Sequence, residues 1–225
     1  MLNSSPDTLS VAILSIQCGK VRPFRGEDEP SAIGKKPIEG RVTVHRLGLD
    51  GDEQADLAVH GGPDKAIHHY PHDHYGFWRE SLGDHPLLSD FGAFGENIAT
   101  EGLTEEQICV GDRWRLGTAL VEVSQGRQPC WKLDHRFDGA IVNARVVKSR
   151  RSGWYYRVLE EGEVAAGDRM VLVERPYPDW SVKRVFGLLI AGEHKKDREG
   201  LEALGEVASL AATWMRRRAK LLGLD

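Results

Sequence analysis

The sequence predicts a mainly β fold with helices, a curved or closed β-barrel over residues 1–175 followed by a small three-helix unit over residues 176–225. Three observations carry this. Short runs of β-branched and apolar residues recur between glycine turns, few segments before residue 175 show a helical period, and helical stripes follow one another after Arg175-Pro176-Tyr177-Pro178-Asp179. In that last segment each proline pushes its predecessor out of the helical region, so it reads as a stiff, extended linker.

In chain order, Ser10 to Ile16 is apolar and β-branched and reads as a buried strand, ended by Gln17-Cys18-Gly19-Lys20. Lys20, just past a glycine at a strand end, could reach a pocket or stay solvated. Residues 22–40 hold six prolines and glycines in turn positions, which permits irregular chain or short edge strands. Arg41 to Leu47 alternates as a half-exposed strand. The Asp50-x-Asp52 pair invites comparison with a calcium loop, but Ala55 stands where that loop needs glycine and Gly61 where it needs glutamate. His60-Gly61-Gly62-Pro63-Asp64-Lys65 is a turn whose backbone amides could hold an anion. Five histidines fall between His60 and His74, with a spacing that matches no common zinc pattern and no cysteine nearby. Asp73 to Leu82 has helical spacing, Phe91 to Ile98 reads as a strand broken by glycines, and Thr104-Glu105-Glu106-Gln107 is a capping box. Asn97, near the end of that broken strand, could donate both amide hydrogens to a ligand or satisfy local backbone.

Cys109 to Leu116 and Ala119 to Ser124 pair as a hairpin that delivers Ser124-Gln125-Gly126-Arg127-Gln128-Pro129-Cys130-Trp131-Lys132. Here a core strand ends in a bend, then a cysteine flanked by Arg127 and Lys132, cations able to hold its sulfur as thiolate. The bland alternative is a buried structural cysteine beside solvated cations. Trp131 to Phe137 begins a helix with Pro129 expected in its first turn, and Gly139 to Arg150 continues the helical pattern. Trp154 to Leu159 and Arg169 to Val173 are strands. Beyond the linker lie stripes at Val182, Val185, Phe186 and Leu189; at Leu201, Leu204 and Val207; and at Leu210, Trp214 and Leu221, with Asp197 as a cap between the first two.

Composition narrows the function classes. Thirty basic against thirty-four acidic residues, a net charge of −4, give no electrostatic footprint for nucleic acid. Three cysteines, at 18, 109 and 130, make no even framework and no C-x-x-C, which points to a reducing compartment. No signal-peptide pattern and no membrane-length apolar run occur, so the expectation is a cytoplasmic protein. No Gly-x-Gly-x-x-Gly follows a strand, so no nicotinamide site is expected, nor is pyridoxal phosphate.

The runs Gly51 to Asp56, His60 to Ala66, His69-Tyr70-Pro71, Phe94-Gly95-Glu96-Asn97, Val110-Gly111-Asp112 and Val123-Ser124-Gln125 with Arg127 and Pro129-Cys130 together resemble the MOSC domain family (molybdenum cofactor sulfurase C-terminal-like). The likeness is to its bacterial YiiM-type branch, a MOSC β-barrel followed by three helices, and it spans nearly the whole chain. Gly126 departs from the proline expected after Ser-Gln. The resemblance implies a molybdenum-cofactor protein that removes oxygen from N-hydroxylated compounds such as 6-hydroxylaminopurine, conferring resistance to them. It implies Cys130 as the molybdenum ligand, with molybdopterin contacts sought among Lys20, His60, Asn97, Ser124, Arg127 and Lys132 and a proton supplied by His60 or Asp64. The implied partners are a small N-hydroxylated substrate and a separate flavin or iron–sulfur reductase, with no nucleic acid and no membrane, and with a homodimer left open. Two other classes stay open: a cofactor carrier or sensor without turnover, and a cysteine hydrolase or transferase with His135 as the base nearest in sequence.

Overall fold

The computed structural model describes residues 9–25, 29–56 and 61–224. Thirteen strands occur among them: β1 (Ser10–Cys18), β2 (Arg22–Pro23), β3 (Pro30–Ser31), β4 (Lys36–Pro37), β5 (Arg41–His45), β6 (Gly48–Leu49), β7 (Ile67–Pro71), β8 (Ile98–Thr100), β9 (Arg113–Leu116), β10 (Ala119–Gly126), β11 (Trp154–Glu160), β12 (Gly162–Ala165) and β13 (Arg169–Glu174). The α-helices are α1 (Tyr75–Leu82), α2 (Trp131–Arg136), α3 (Val142–Ser149), α4 (Val182–Leu189), α5 (Arg198–Ala203) and α6 (Ala212–Leu222).

Seven strands close a barrel in the order β13-β9-β10-β11-β7-β8-β1, with β1 pairing back to β13. Every pairing around it is antiparallel except β7 with β8. Closure removes the exposed sheet edges that a seven-strand open sheet would present to other chains. β11 alternates buried and half-buried positions, so Trp154, Tyr156 and Val158 face one way and Tyr155 and Arg157 the other. Inside, the buried His69 lies between two hydroxyls, its Nδ1 3.1 Å from Tyr156 Oη and its Nε2 2.9 Å from Thr100 Oγ1. Burial lowers its pKa to about 3, which keeps the ring neutral.

The expected hairpin turns at Gly117-Thr118, and half of the capping box forms: Gln107 Oε1 accepts from the Thr104 backbone N–H at 2.8 Å, while the Thr104 hydroxyl donates to the same oxygen and the Gln107 amide goes to the Thr104 carbonyl. Two expectations are corrected. Residues 91–97 form turns rather than a strand, because the buried Glu96 carboxylate takes the Gly92 and Phe94 amides (2.7 and 3.0 Å) that a ladder would need. Gly139–Ile141 are not helical; α3 starts at Val142, where Asp134 Oδ1 accepts from the Val142 and Asn143 amides.

After the 175–179 linker, α4 and Trp214 of α6 pack against β10, and α5 packs on α4 and α6. Val182, Val185, Phe186, Leu189 and Trp214 belong to the same buried cluster as the barrel side chains. Gly126 permits this contact: a Cβ there would stand 3.0 Å from Trp214 and 3.3 Å from Phe186 and Val182, tighter than side chains ordinarily pack. The proline expected at this position would meet the same rings. Asp197 caps α5, accepting from the Gly200 amide at 2.7 Å. Arg157 adds a polar tie, its guanidinium donating to Asp64, to Glu122 and to the Ser209 carbonyl. Among the described residues no helix is long and apolar enough to cross a membrane.

Candidate active site

β10 is the ruler for the site. Gln125 and Gly126 still pair with Tyr155 and Trp154, and the ladder runs one residue further as the Arg127 N–H donates to the Gly153 carbonyl at 3.0 Å. Gln128 and Pro129 then leave the sheet. Cys130 takes an extended conformation (φ −133°, ψ 166°) as the residue preceding α2, and the Leu133 amide closes on its carbonyl at 3.0 Å. Pro129 therefore lies outside the helix, one residue before its N-cap, and not in its first turn as expected. Buried Leu133 and Phe137 anchor the short helix in the core, which fixes where Cys130 emerges.

Cys130 emerges on the wall of an open cavity with about 630 Å³ of space, counting the part open to solvent. The sulfur's carrier is half-buried, and the cavity adjoins it, so the chain does not seal this cysteine in apolar packing. Arg127 also lines the cavity. It is 7% exposed and, among the described residues, forms no salt bridge; its charge lies close enough to Tyr155 to lower that hydroxyl's pKa. A guanidinium buried without a counter-charge is costly unless a ligand supplies one. Burial raises the Tyr155 pKa, and Arg127 partly offsets it. Beside Tyr155 across the β11–β7 pair stands His68, their rings 5.0 Å apart. His68 is 4% exposed, and burial first, then the Arg127 charge, lower its pKa well below the ordinary histidine value, so it is neutral.

A buried ion pair also lines the cavity. Lys35 Nζ donates to both carboxylate oxygens of Asp52 at 2.5 Å, with the two side chains 9% and 3% exposed. Asp52 also accepts from the Gly19 amide (2.7 Å) and from Asn97 Nδ2 (2.8 Å). Asn97 in turn donates to the Gln17 carbonyl and accepts from the His68 amide, so one side chain ties the ends of β1, β7 and the 91–97 turns together. Lys65 and Lys132 add to the basic residues of the lining, which also carries Asp52, Glu53 and Asp56. Burial lowers the Lys65 pKa, with Asp64 and Asp56 opposing, and Lys132 Nζ donates to the Pro30 carbonyl at 2.9 Å.

Of the residues singled out in the sequence, Asn97, Arg127, Cys130 and Lys132 meet at this cavity. Asn97 commits both amide hydrogens within the protein, so neither is left to donate to a ligand. Lys20 is exposed and pairs with Glu53 at 3.1 Å, off the cavity wall. Ser124 is buried, its hydroxyl donating to the Asp64 and Tyr155 carbonyls. The Asp64 carboxylate accepts from Arg157 instead of facing the cavity. His60 lies outside the described residues. His135 is exposed, 3.2 Å from the Phe24 carbonyl, and does not line the cavity. Among the described residues no cluster of three metal-ligating His, Cys, Asp or Glu side chains occurs, and His68, His69, His72 and His74 serve packing and hydrogen bonding.

Sequence reasoning passed over Lys35, Asp52, His68 and Tyr155. Asp52 had a visible signal, an acidic residue in a turn that failed as a calcium loop and so needed another use. His68 sat in the histidine-rich run. Lys35 lies in a proline- and glycine-rich tract with no periodicity to place it.

A family model described as "MOSC domain" matches residues 56–171. A relative from Escherichia coli (strain K12), Protein YiiM, is 38% identical over 207 residues, 92% of this chain and 91% of that one. A protein from Gibberella moniliformis named Reductase is 39% identical over 186 residues, which is 82% of this chain but 33% of that protein. The crystal structure of YiiM from Geobacillus stearothermophilus superposes with a TM-score of 0.79 at 34% identity, covering 94% of this chain and 99% of that chain.

Proposed function

The chain belongs to the MOSC domain family, and from that premise we propose that it is a molybdenum-cofactor-dependent reductase of N-hydroxylated compounds. The observation that carries the proposal is the meeting of Cys130 with Arg127, Lys132, Lys65 and Lys35 on one open cavity. That donor set fits molybdopterin: a thiolate is a suitable ligand for a soft or borderline metal, and a phosphate-bearing pterin needs cations and hydrogen-bond donors. When bound, the cofactor would supply the two-electron chemistry that turns N–OH into N–H and water.

The chain's own residues do the rest. Cys130 would hold the metal, and Arg127, which is buried and forms no salt bridge among the described residues, would offer its guanidinium to the anionic end of the cofactor. Neutral His68 and the Tyr155 hydroxyl present hydrogen-bonding groups without standing charge next to Arg127. The Lys35–Asp52 pair and Asn97 tie together the segments that line the cavity, which favours a preformed site for the ligand. Electrons would come from a separate flavin or iron–sulfur protein.

The test is elemental analysis of protein purified from molybdenum-replete cells, together with reduction of 6-hydroxylaminopurine by dithionite-reduced viologen. Stoichiometric molybdenum in the parent, lost in Cys130→Ser, with turnover that follows the metal, is the expected result. Molybdenum without turnover would make the chain a carrier; turnover without molybdenum would make it a covalent cysteine enzyme.

A further inference from the structure

Reduction of an N–OH group needs acid as well as electrons. Two electrons added across the N–O bond break it and leave a basic nitrogen and a basic oxygen, and two protons turn these into N–H and water. On the reductase reading the reduced molybdenum cofactor supplies the electrons, and the protons come from the cavity wall or from water. The Asp64 carboxylate is turned to Arg157. The next residue, Lys65, is half-buried and lines the same cavity as Cys130.

The turn that carries Lys65 is pinned. Within Pro63–Lys65 the Lys65 amide donates to the Gly62 carbonyl at 3.0 Å; the Asp64 carbonyl accepts from the Ser124 hydroxyl at 2.6 Å, and the Ala66 amide donates to the Tyr156 carbonyl at 3.1 Å. Both β10 and β11 thus fix where the side chain starts. The charged groups around the turn are Asp64 and Asp56 beside Lys65, with Arg157 and Glu122, which pair with each other while Arg157 also takes the Asp64 carboxylate. Burial loosens the Lys65 proton, Asp64 and Asp56 hold it, and burial prevails, so its pKa lies below the ordinary lysine value. The other groups on the wall are poorer acids. Arg127 keeps its proton at any working pH, His68 is already neutral, and burial raises Tyr155. Lys35 is engaged by both oxygens of Asp52, the Val21 amide and Lys20 keep Glu53 ionised, and Lys132 Nζ donates to the Pro30 carbonyl.

We propose that the Lys65 ammonium is the acid that protonates the substrate nitrogen as its N–O bond breaks, and that it regains its proton from water at the open mouth of the cavity. The second proton, for the oxygen, comes from water. The assignment rests on the reductase reading and adds to it the identity of the proton donor. An ammonium whose proton is loosened in a cleft is matched to this task near neutral pH, where an ordinary lysine holds its proton too firmly.

Two measurements on the full chain test it. Competitive acetylation of the parent with acetic anhydride over a range of pH, read by mass spectrometry, titrates each lysine without any turnover; Lys65 should titrate below the ordinary value of about 10.4. Lys65→Arg and Lys65→Met, purified from molybdenum-replete cells, are then assayed with 6-hydroxylaminopurine and dithionite-reduced viologen, with kcat counted per bound molybdenum. Arginine keeps the positive charge but cannot release a proton. Both variants should therefore show little change in KM and a kcat roughly a hundredfold below the parent. The parent's kcat should fall as pH rises through the Lys65 pKa, and that alkaline limb should be missing from both variants. Thermal melting checks the fold; should Lys65→Met fail to fold, Lys65→Arg and the acetylation decide. Lys65→Arg that turns over within about threefold of the parent overturns the assignment and leaves the reductase reading standing, since charge alone then suffices. A Lys65 that titrates at the ordinary lysine value overturns it as well. Molybdenum-loaded parent that reduces no hydroxylamine overturns both.

Discussion

Replacing Asp52 by asparagine is the sharpest test of how the cavity wall is held. The change keeps shape and removes charge, at a side chain 3% exposed that accepts from Lys35, Gly19 and Asn97 at once. The new amide brings two donors into a place where three donors already converge, and it strands the Lys35 ammonium, 9% exposed, with no counter-charge. Breaking a buried ion pair from one side costs about 3–5 kcal/mol. For a domain of this size each kcal/mol shifts the melting temperature by about 2–4 °C, so Asp52→Asn should melt roughly 6–20 °C below the parent.

A double-mutant cycle separates the pair from its neighbours. Lys35→Met alone leaves Asp52 with two amide donors and should cost less than Asp52→Asn; the double variant should be markedly more stable than the sum of the two single losses predicts. Urea unfolding followed by circular dichroism measures all four proteins. A loss under about 1 kcal/mol for Asp52→Asn, or strict additivity in the cycle, would falsify the claim that this pair is a desolvated, mutually dependent unit.

Two further outcomes follow from titration behaviour. Burial pushes the Cys18 and Cys109 thiols up to about 11, so both stay protonated at pH 8 and react slowly with a thiol reagent. Ellman's reagent should therefore modify one cysteine rapidly in the folded protein and none rapidly in Cys130→Ser; two fast thiols in the parent would contradict the burial argument. His69, with its pKa lowered to about 3 against about 6.5 in the unfolded chain, takes up its proton only on unfolding between those values. Its contribution is thus complete above pH 6.5 and falls away as pH drops toward 3, about 2 kcal/mol of it between pH 7 and 5. His68 is shifted the same way. Urea midpoints at pH 7 and 5 should fall less for His69→Gln than for the parent, and equal slopes would contradict the neutral buried ring.

The barrel was legible because its strands are local statements: β10 and β11 announce themselves by β-branched runs and glycine turns, and the order of turns leaves few ways to close a sheet. The 91–97 segment misled because its glycines and aromatics look like a strand until one knows that Glu96 turns back to take their amides. The site was legible where one stretch carries it. Arg127, Cys130 and Lys132 lie within six residues of a single strand exit, so their approach to one cavity follows from chain connectivity. Lys35, Asp52 and His68 reach the same cavity from three separate segments, and nothing within any one of them names its partners.

Gly126 joins these two kinds of information. Read against the family pattern it is an anomaly, a glycine where proline was expected; in the fold it is the point at which Trp214, Phe186 and Val182 of the helical unit press on β10. The helices therefore bear on the strand one residue before Arg127 and four before Cys130. The Arg157 contacts to Asp64, Glu122 and Ser209 hold the same helices to the turn that precedes Lys65. A unit that the sequence presents as an appendage behind a proline linker is thus a buttress for both strand exit and turn, and its packing helps to fix the positions from which Arg127, Cys130 and Lys65 enter the cavity.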